Sequence, residues 1–276
     1  MDLYCVFGNP IAHSQSPRIH QRFAELTGQT LSYTRRLVPL GELAAHVAQF
    51  QAEGGLGCNI TVPFKFDAAT LAPYRSERVQ LCGAANTLIL LDGEWHAENT
   101  DGLGLVRDIQ FNAGVNLHGQ DVLLLGAGGA AAGVLAPLLD MLPRRLVVAN
   151  RTVAKAEQLV QTHTALARER RVDLQASGLD AIDGQFQVLV NGTSSSLGEG
   201  EVPVAPTVLA PGALAYDMMY GPKAQVFANW ATHHGAIARD GLGMLVEQAA
   251  AAFALWRGVL PPGRQVLDEL RRDLAA

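Results

Sequence analysis

The chain has 276 residues, of which 49% are hydrophobic and 17% are charged, and this is long enough for two domains with buried cores. Its formal net charge of −5 argues against a nucleic acid as the main partner. Three cysteines without a CxxC pair, and a first segment without a positively charged export signal, lead us to expect a cytoplasmic protein. Residues 122–139 carry no charge, but four glycines and Pro137 interrupt them, which favours a buried strand and helix over a membrane span.

Short apolar runs alternate with amphipathic segments in the first part of the chain. Ser16 is the expected N-cap of the first helix, and Gly28 is expected to end it. The alternation predicts a mostly parallel α/β sheet. The predicted elements are strand Leu3–Phe7, helix Pro17–Thr27, strand Leu31–Leu37, helix Leu40–Gln51 and the extended segment Cys58–Val62.

A hairpin follows, because Asp92-Gly93 separates the apolar runs Thr87–Leu91 and Glu94–Ala97. A helix is expected to begin at about Leu103. We place a domain boundary at this point, which gives a first domain of residues 1–101 plus 242–276 and a second domain of residues 102–241.

The second domain repeats the strand–helix alternation. Its first helix contains Pro137, so we expect a kink or an early break there. The predicted strands are Val122–Leu125, Leu146–Ala149, Val188–Val190, Ala213–Ala215 and Ala236–Ala238, and helices are predicted over Met244–Trp256 and Arg264–Leu274.

Gly126-Ala127-Gly128-Gly129-Ala130-Ala131 directly follows the first of these strands and opens a helix. The first glycine allows a tight turn, the second allows the backbone to approach a pyrophosphate, and the small side chain of Ala131 allows close helix–strand packing. The helix N-terminus then offers N–H groups to the phosphates. The order of strand, glycine turn and helix predicts a dinucleotide site.

Asn150-Arg151-Thr152 follows the next strand, where an NAD site usually carries an acidic residue. Arg151 and Lys155 share a helix face instead, and two cations in a first helical turn oppose the helix dipole unless an anion binds there. The 2′-phosphate of NADP is the natural anion, although two solvated surface cations would give the same sequence.

Two polar clusters precede the boundary. Ser14 and Ser16 put two hydroxyls at a helix N-terminus, which either cap the helix or also hold a carboxylate. Asn59 and Thr61 alternate with apolar residues and so face one side of an extended segment, just before Lys65.

Three further polar residues admit two interpretations each. Asn86 is either a turn residue or part of a site, and Asp101 is either a helix N-cap or part of a site. Gln248 lies on an apolar helical stripe and therefore needs a hydrogen-bond partner, either backbone or ligand. The histidine spacing predicts no metal site, and no G-x-S-x-G sequence supports a serine hydrolase.

Taken together, these motifs resemble the shikimate dehydrogenase family nearly end to end. The glycine turn at 126–131 and the sequence Asn150-Arg151-Thr152 belong to the resemblance. Its other elements are the Ser14/Ser16 pair, the sequences 59–65 (NITVPFK), 83–87 (GAANT) and 99–102 (NTDG), and then 191–194 (NGTS), 216–220 (YDMMY) and 240–243 (DGLG).

The resemblance implies NADPH-dependent reduction of 3-dehydroshikimate to shikimate, on the pathway to aromatic amino acids. It also implies a fold of two α/β domains, the second of Rossmann type, with a cleft between them and with the C-terminal helices returning to the first domain. It implies that Lys65 and Asp101 form a charged pair across the substrate. The substrate residues that it implies are Ser14, Ser16, Asn59, Thr61, Asn86, Tyr220 and Gln248. The implied NADP residues are Gly126, Ala127, Gly128, Gly129, Ala130, Asn150, Arg151, Thr152, Lys155, Met218, Gly241 and Glu77.

Several alternatives remain open at this stage. The family often has Arg where this chain has Lys155, so the preference for NADP over NAD is expected to be weaker than usual. A quinate/shikimate dehydrogenase with looser substrate or cofactor choice is one rival, and a redox-inactive nucleotide-binding regulator on the same fold is another. The expected partner is a small-molecule substrate, and neither a nucleic acid nor a membrane is expected as a partner. The protein itself is expected to be a monomer or a homodimer.

Overall fold

The structure is a computed structural model that describes residues 1–193 and 202–275. Ser194, the last residue of one family motif, lies outside the described residues. The chain divides into two compact units, which we call unit 1 (Met1–Gly104 and Leu245–Ala276) and unit 2 (Leu105–Met244). The divisions fall within two helices, Asp101–Arg107 and Leu242–Arg257.

Unit 1 is built on a six-stranded sheet of order β2-β1-β3-β5-β6-β4. Strand β1 pairs in parallel with β2 and β3, while β5 pairs antiparallel with β3 and β6. The predicted mostly parallel sheet is therefore confirmed, with an antiparallel hairpin added. The elements are β1 Asp2–Gly8, α1 Ser16–Thr27, β2 Leu31–Leu37, α2 Leu43–Ala52, β3 Gly55–Ile60, α3 Lys65–Leu71, β4 Tyr74–Arg75, α4 Glu77–Cys82, β5 Thr87–Leu91 and β6 Glu94–Glu98.

Alternate residues of the central strands fill the core of unit 1. Cys5 and Cys58 lie opposite each other on β1 and β3, are fully buried, and pack with Phe7, Phe50 and Phe64. Burial raises the pKa of the Cys5 thiol well above its usual value.

The β5–β6 hairpin forms at the predicted place. Asp92 and Gly93 both have positive φ angles, 51° and 84°, which is the backbone conformation that a two-residue turn between antiparallel strands requires. The hairpin carries the chain from Thr87 back to Glu98, which are register partners. Residues 86 and 99–101, on either side of the hairpin, are thereby brought together.

Unit 2 is a six-stranded sheet in which every neighbouring pair is parallel, with the order β9-β8-β7-β10-β11-β12. This is the 3-2-1-4-5-6 order of a doubly wound dinucleotide-binding sheet. The predicted Rossmann-type fold is confirmed. The elements are α5 Asp101–Arg107, with one turn of π-helix at Asp108–Asn112, then β7 Asp121–Leu125, α6 Gly129–Asp140, β8 Arg145–Ala149, α7 Val153–Arg170, β9 Asp173–Ser177, β10 Phe186–Asn191, β11 Leu209–Asp217, α8 Gln225–His233 and β12 Ile237–Arg239.

The uncharged run at 122–139 is strand β7 followed by helix α6, as predicted. All five residues of β7 are buried, since helices lie on both faces of a parallel sheet. No helix among the described residues is both long and apolar enough to cross a bilayer. The expected early break at Pro137 is wrong, because α6 continues to Asp140. Pro137 lies in the last turn, where its missing N–H removes one intrahelical hydrogen bond without breaking the helix.

One further expectation needs correction. Ser16 is not the N-cap of α1: it is the first helical residue, Gln15 is the cap, and the Ser16 backbone N–H donates to Ser14 Oγ at 3.3 Å. Gly28 ends the helix with a φ of 65°, as expected. Strands β4 and β9 were not predicted, because β4 has two residues and β9 has a mixed polar composition.

The last two helices belong mainly to unit 1. Helix α9, Leu242–Arg257, buries Val246, Ala249 and Phe253, and helix α10, Gly263–Ala275, buries Leu267. Their predicted positions are confirmed to within two residues.

Candidate functional site

Lys65 and Asp101 form an ion pair in unit 1. Lys65 Nζ donates to Asp101 Oδ2 at 2.6 Å, and their side chains are 28% and 14% exposed. Lys65 is the first residue of α3, and Asp101 is the first residue of α5. Asp101 therefore does more than cap a helix, because its carboxylate accepts the hydrogen bond from the Lys65 ammonium. The Lys65 side chain is therefore partly open to solvent.

The Asn86 side chain connects this pair to its surroundings. Its amide nitrogen donates to Asp101 Oδ1 at 2.9 Å, to Thr100 Oγ1 at 2.9 Å and to Gln248 Oε1 at 3.2 Å. Its oxygen accepts from the Thr100 backbone N–H at 2.8 Å, which fixes the orientation of the amide. Asn86 lies at the bend before β5, is 3% exposed and belongs to a buried polar network.

Asn99 holds the two sides of this network together. Its oxygen accepts from the Asp101 backbone N–H at 3.1 Å, and its amide donates to Ala84 O at 3.0 Å. The Ala85 backbone N–H donates to Lys65 O at 2.8 Å. Segment 84–86 is thus bonded both to the residue that carries the ammonium and to the residue that carries the carboxylate.

Gln248 has the partners that its position on an apolar helix requires. Its amide donates to Leu245 O at 2.9 Å, and its oxygen accepts from Asn86 and, at 3.4 Å, from Thr100. At 9% exposure it is almost buried. The structure joins this residue from the end of the chain to the same network.

Asn59 lies beneath Asn86, on strand β3. Its oxygen accepts from the Tyr33 hydroxyl at 2.7 Å, and its amide donates to Asn86 O at 3.2 Å and to Thr87 Oγ1 at 3.1 Å. Both the oxygen and the nitrogen of the Asn59 side chain are thus hydrogen-bonded within the protein. Thr61 follows β3, is half-buried, and is fixed through its backbone N–H, which donates to Phe7 O at 2.9 Å.

Tyr33 is buried against the ring of His20, with centroids 4.2 Å apart and planes within 6°. Burial raises the pKa of Tyr33 well above its usual value, and a hydrogen bond with the Ser16 side chain opposes that shift. Burial lowers the pKa of His20 to about 3, so this ring is neutral at physiological pH. Sequence reasoning missed both residues, because an aromatic residue in a strand and a histidine in a helix are common core residues.

Ser14 and Ser16 lie at the beginning of α1, as predicted. Ser14 is half-buried and Ser16 is 7% exposed. Arg35, on β2, donates from Nε and Nη2 to the carbonyl oxygen of Ser14, at 2.9 and 2.6 Å. The two hydroxyls at the start of α1 form a polar group that suits a carboxylate.

Nine of the predicted cofactor residues line one pocket in unit 2, of about 490 Å³. They come from the turn after β7 and from the segment after β8. Four further lining residues were not predicted as cofactor residues, although two of them belong to the family motif at 191–194. The predicted nine are Gly126, Ala127, Gly128, Gly129, Ala130, Asn150, Arg151, Thr152 and Lys155, and the additional four are Leu179, Gly192, Thr193 and Pro203.

The glycine turn has the geometry that its sequence requires. Gly126 has a φ of +103°, and a Cβ on it would lie 3.1 Å from Gly192 O. A Cβ on Gly128 would meet nothing within 4 Å, so the space above this residue is open. Gly128 is the N-cap of α6 without a side-chain partner, which leaves the first N–H groups of that helix directed at the pocket.

Arg151 and Lys155 are exposed at the start of α7 and line the same pocket. Within the described part of the chain, no carboxylate lies within 4.0 Å of either cation. Asn150 donates from Nδ2 to Thr152 O at 2.9 Å and so fixes the turn that presents them. The pocket wall is therefore cationic where an NAD site would be acidic.

Met218, Gly241 and Tyr220 follow the ends of β11 and β12. A Cβ on Gly192, a pocket residue, would lie 3.3 Å from Met218 Sδ. A Cβ on Gly241 would lie 2.3 Å from Met218 O, so only glycine fits there. Tyr220 is half-buried, and burial raises its pKa. Glu77 is in unit 1, exposed in the first turn of α4.

Comparisons with known proteins agree with these observations. Residues 6–88 match the shikimate dehydrogenase substrate binding domain, residues 108–197 match the shikimate / quinate 5-dehydrogenase family, and residues 241–271 match the shikimate 5'-dehydrogenase C-terminal domain. A protein of Acidovorax sp. (strain JS42) named shikimate dehydrogenase (NADP(+)) is 65% identical over 275 residues, covering 100% of this chain and 98% of its own.

The chain belongs to the shikimate dehydrogenase family.

Several solved structures have the same fold. An Ael1 enzyme from Pseudomonas putida is 48% identical, with a TM-score of 0.91 and 98% coverage of both chains. The shikimate 5-dehydrogenase of Thermus thermophilus, solved in complex with NADP(H) and shikimate, is 28% identical, with a TM-score of 0.84 and 99% coverage of both chains. A family member with these features combines a polar substrate unit with a dinucleotide unit.

Proposed function

We propose that this protein catalyses the reversible, NADPH-dependent reduction of 3-dehydroshikimate to shikimate in the biosynthesis of aromatic amino acids. The observation that carries the proposal is the Lys65–Asp101 ion pair, which is partly exposed and surrounded by amide and hydroxyl groups. The high identity to proteins named shikimate dehydrogenase (NADP(+)) supports the same reaction.

The unit 2 pocket suits NADP. The open space above Gly128 and the N-terminus of α6 fit a pyrophosphate, and the two cations, which have no carboxylate partner among the residues that the structure describes, fit a 2′-phosphate. Gly126–Ala130 and Asn150–Lys155 would hold the nucleotide, with Met218 and Gly241 at its nicotinamide end. When bound, the cofactor supplies the hydride.

Ser14 and Ser16 are proposed to bind the substrate carboxylate, with Tyr220 nearby. Thr61, Lys65, Asn86, Asp101 and Gln248 are proposed to surround the ring hydroxyls. Asn59 is proposed to act as a support, because its amide and its oxygen are both bonded within the protein. Glu77 remains a proposed cofactor contact on the basis of the resemblance alone.

Lys65 is proposed to stabilise the alkoxide that develops at the reacting carbonyl and to donate its proton to it. Asp101 keeps the ammonium in position and, in the reverse direction, helps the amine to accept the proton. Asn86 would hold the carboxylate in place through its 2.9 Å hydrogen bond to Oδ1. A pure nucleotide-binding regulator would have no need of this partly buried charge pair, which favours the enzyme.

Four parallel assays test the function and its nearest rival. Purified protein is given shikimate or quinate with NADP or NAD, and reduced cofactor is followed by absorbance. We expect rapid turnover only with shikimate and NADP. Comparable rates with quinate or with NAD would identify the relaxed quinate/shikimate enzyme, and cofactor binding without turnover would identify the regulator.

The three cysteines, Cys5, Cys58 and Cys82, are free thiols, and the first two are fully buried. We propose on this basis that the protein works in the reducing cytoplasm.

A further inference from the structure

We infer that Arg35 is a substrate-positioning residue that supplies the positive charge at the carboxylate anchor formed by Ser14 and Ser16. This inference rests on the proposed function, since it assigns a partner to the carboxylate of that substrate. The chemical class that the residue selects is a small organic acid over its neutral ester or amide.

The contact between Arg35 and the anchor is direct. Two of its nitrogens, Nε and Nη2, donate to the carbonyl oxygen of Ser14. Ser14 Oγ in turn accepts from the backbone N–H of Ser16, the first residue of α1. The guanidinium therefore holds the turn that presents both hydroxyls, from the side of strand β2.

The charge of Arg35 is not neutralised by the part of the protein that the structure describes. No carboxylate of the described residues lies within 4.0 Å of its guanidinium, and its partner is a neutral carbonyl. Arg36, the next residue, differs in this respect: it pairs with Glu53 and stacks over the ring of Phe50. Successive strand residues point to opposite faces, which explains the contrast.

Two side chains on one face of strand β2 hydrogen-bond to polar residues of unit 1. Tyr33 and Arg35 are two residues apart and therefore share a face. Tyr33 donates to Asn59 Oδ1, while Arg35 holds Ser14. The hydroxyls of Ser14 and Ser16 carry no charge, so the guanidinium bonded to the carbonyl oxygen of Ser14 is the source of positive charge for an anion bound to them.

The charge and the hydrogen bond can be separated by substitution. R35Q removes the charge but keeps a side-chain donor for Ser14 O, and R35K keeps the charge but loses the two-pronged contact. R36Q is the matched control, because it removes an arginine from the adjacent position on the opposite face.

The test measures kcat and KM of these variants with 3-dehydroshikimate and with its methyl ester, at low and high salt. We expect R35Q to raise the KM for the acid by about 2- to 5-fold, the range for one exposed charge, with kcat and the KM for NADPH within about 2-fold of the wild type. The KM for the methyl ester should change little in R35Q, and the KM of R35K for the acid should lie close to that of the wild type. The salt dependence of the KM for the acid should be weaker in R35Q than in the wild type.

Equal losses for acid and ester in R35Q, or an acid KM in R35Q that matches that of R36Q, would overturn the inference, because a structural role would move both substrates alike. A wild-type protein that does not turn over 3-dehydroshikimate would instead overturn the proposed function. The two failures are therefore distinguishable.

Discussion

Lys65 Nζ donates to Asp101 Oδ2 at 2.6 Å, and each of these residues is the first of its helix. The positive end of a helix dipole favours an anion and disfavours a cation. Asp101 is therefore placed favourably, while Lys65 depends on its carboxylate partner. The ammonium is held in place by this bond rather than by its own helix.

The cations of the pocket give a prediction about cofactor choice. Arg151 and Lys155 line it without a carboxylate partner among the described residues. We expect R151A and K155A each to lower kcat/KM for NADPH by about 10-fold, because each loses one charge-assisted contact to the 2′-phosphate. The value for NADH should change little.

Steady-state kinetics with both cofactors check this prediction. R168A is the control, since Arg168 lies on the same helix in its last turn. Parallel losses with NADH and NADPH would mean that the two cations do not contact a 2′-phosphate.

The Tyr33 hydroxyl gives a prediction about stability. It donates to the buried oxygen of Asn59, and Y33F would leave that acceptor without its donor. We expect Y33F to lower the free energy of unfolding by about 1–3 kcal/mol, the cost of an unsatisfied buried polar group. Urea unfolding measures this change.

Tyr4 offers a matched control on the neighbouring strand, because it is the register partner of Tyr33. Its hydroxyl lies 3.3 Å from Arg257 Nη1, and that guanidinium also bonds to Gln29 and Asp2. Y4F should therefore cost less than Y33F. Equal costs would show that the bond to Asn59 contributes nothing of its own.

His20 makes stability depend on pH. Burial lowers its pKa to about 3, whereas in the unfolded chain it titrates near 6.5. The unfolded state therefore binds a proton first as the pH falls, and the folded state loses stability from about pH 6.5 downward, by up to about 1.4 kcal/mol per pH unit. Above pH 6.5 the effect is absent.

H20F keeps a ring for stacking on Tyr33 but cannot titrate. Unfolding free energies at pH 7.5 and pH 5.0 should differ by about 2 kcal/mol more for the wild type than for H20F. His163, whose pKa is also lowered by burial, is present in both proteins and cancels in the comparison. Identical pH slopes would show that His20 is not a buried neutral group.

The sequence predicts the features that are local along the chain. The glycine turn, the hairpin at Asp92-Gly93 and the pair Arg151 and Lys155 each depend on spacings of a few residues. The structure has them where they were expected. The sequence also predicts that Gln248 needs a partner, because an amide on an apolar stripe cannot remain unpaired.

Partners that are distant in sequence could not be identified in this way. Gln248 and Asn86 are 162 residues apart, and neither segment contains a sequence pattern that identifies the other as its partner. Tyr33 and Arg35 were missed because β2 shows only an apolar–polar mixture, without a motif. The capping role given to Ser16 was wrong, since the Ser14 hydroxyl accepts the backbone N–H of Ser16 and the helix begins one residue earlier than expected.

The most direct test of the account is the turnover of K65A with saturating 3-dehydroshikimate and NADPH. General acid–base catalysis contributes about 100- to 10,000-fold, and we expect kcat to fall within that range while the affinity for NADPH stays unchanged. A K65A protein that turns over at close to the wild-type rate would contradict the assignment of the Lys65–Asp101 pair as the reacting centre.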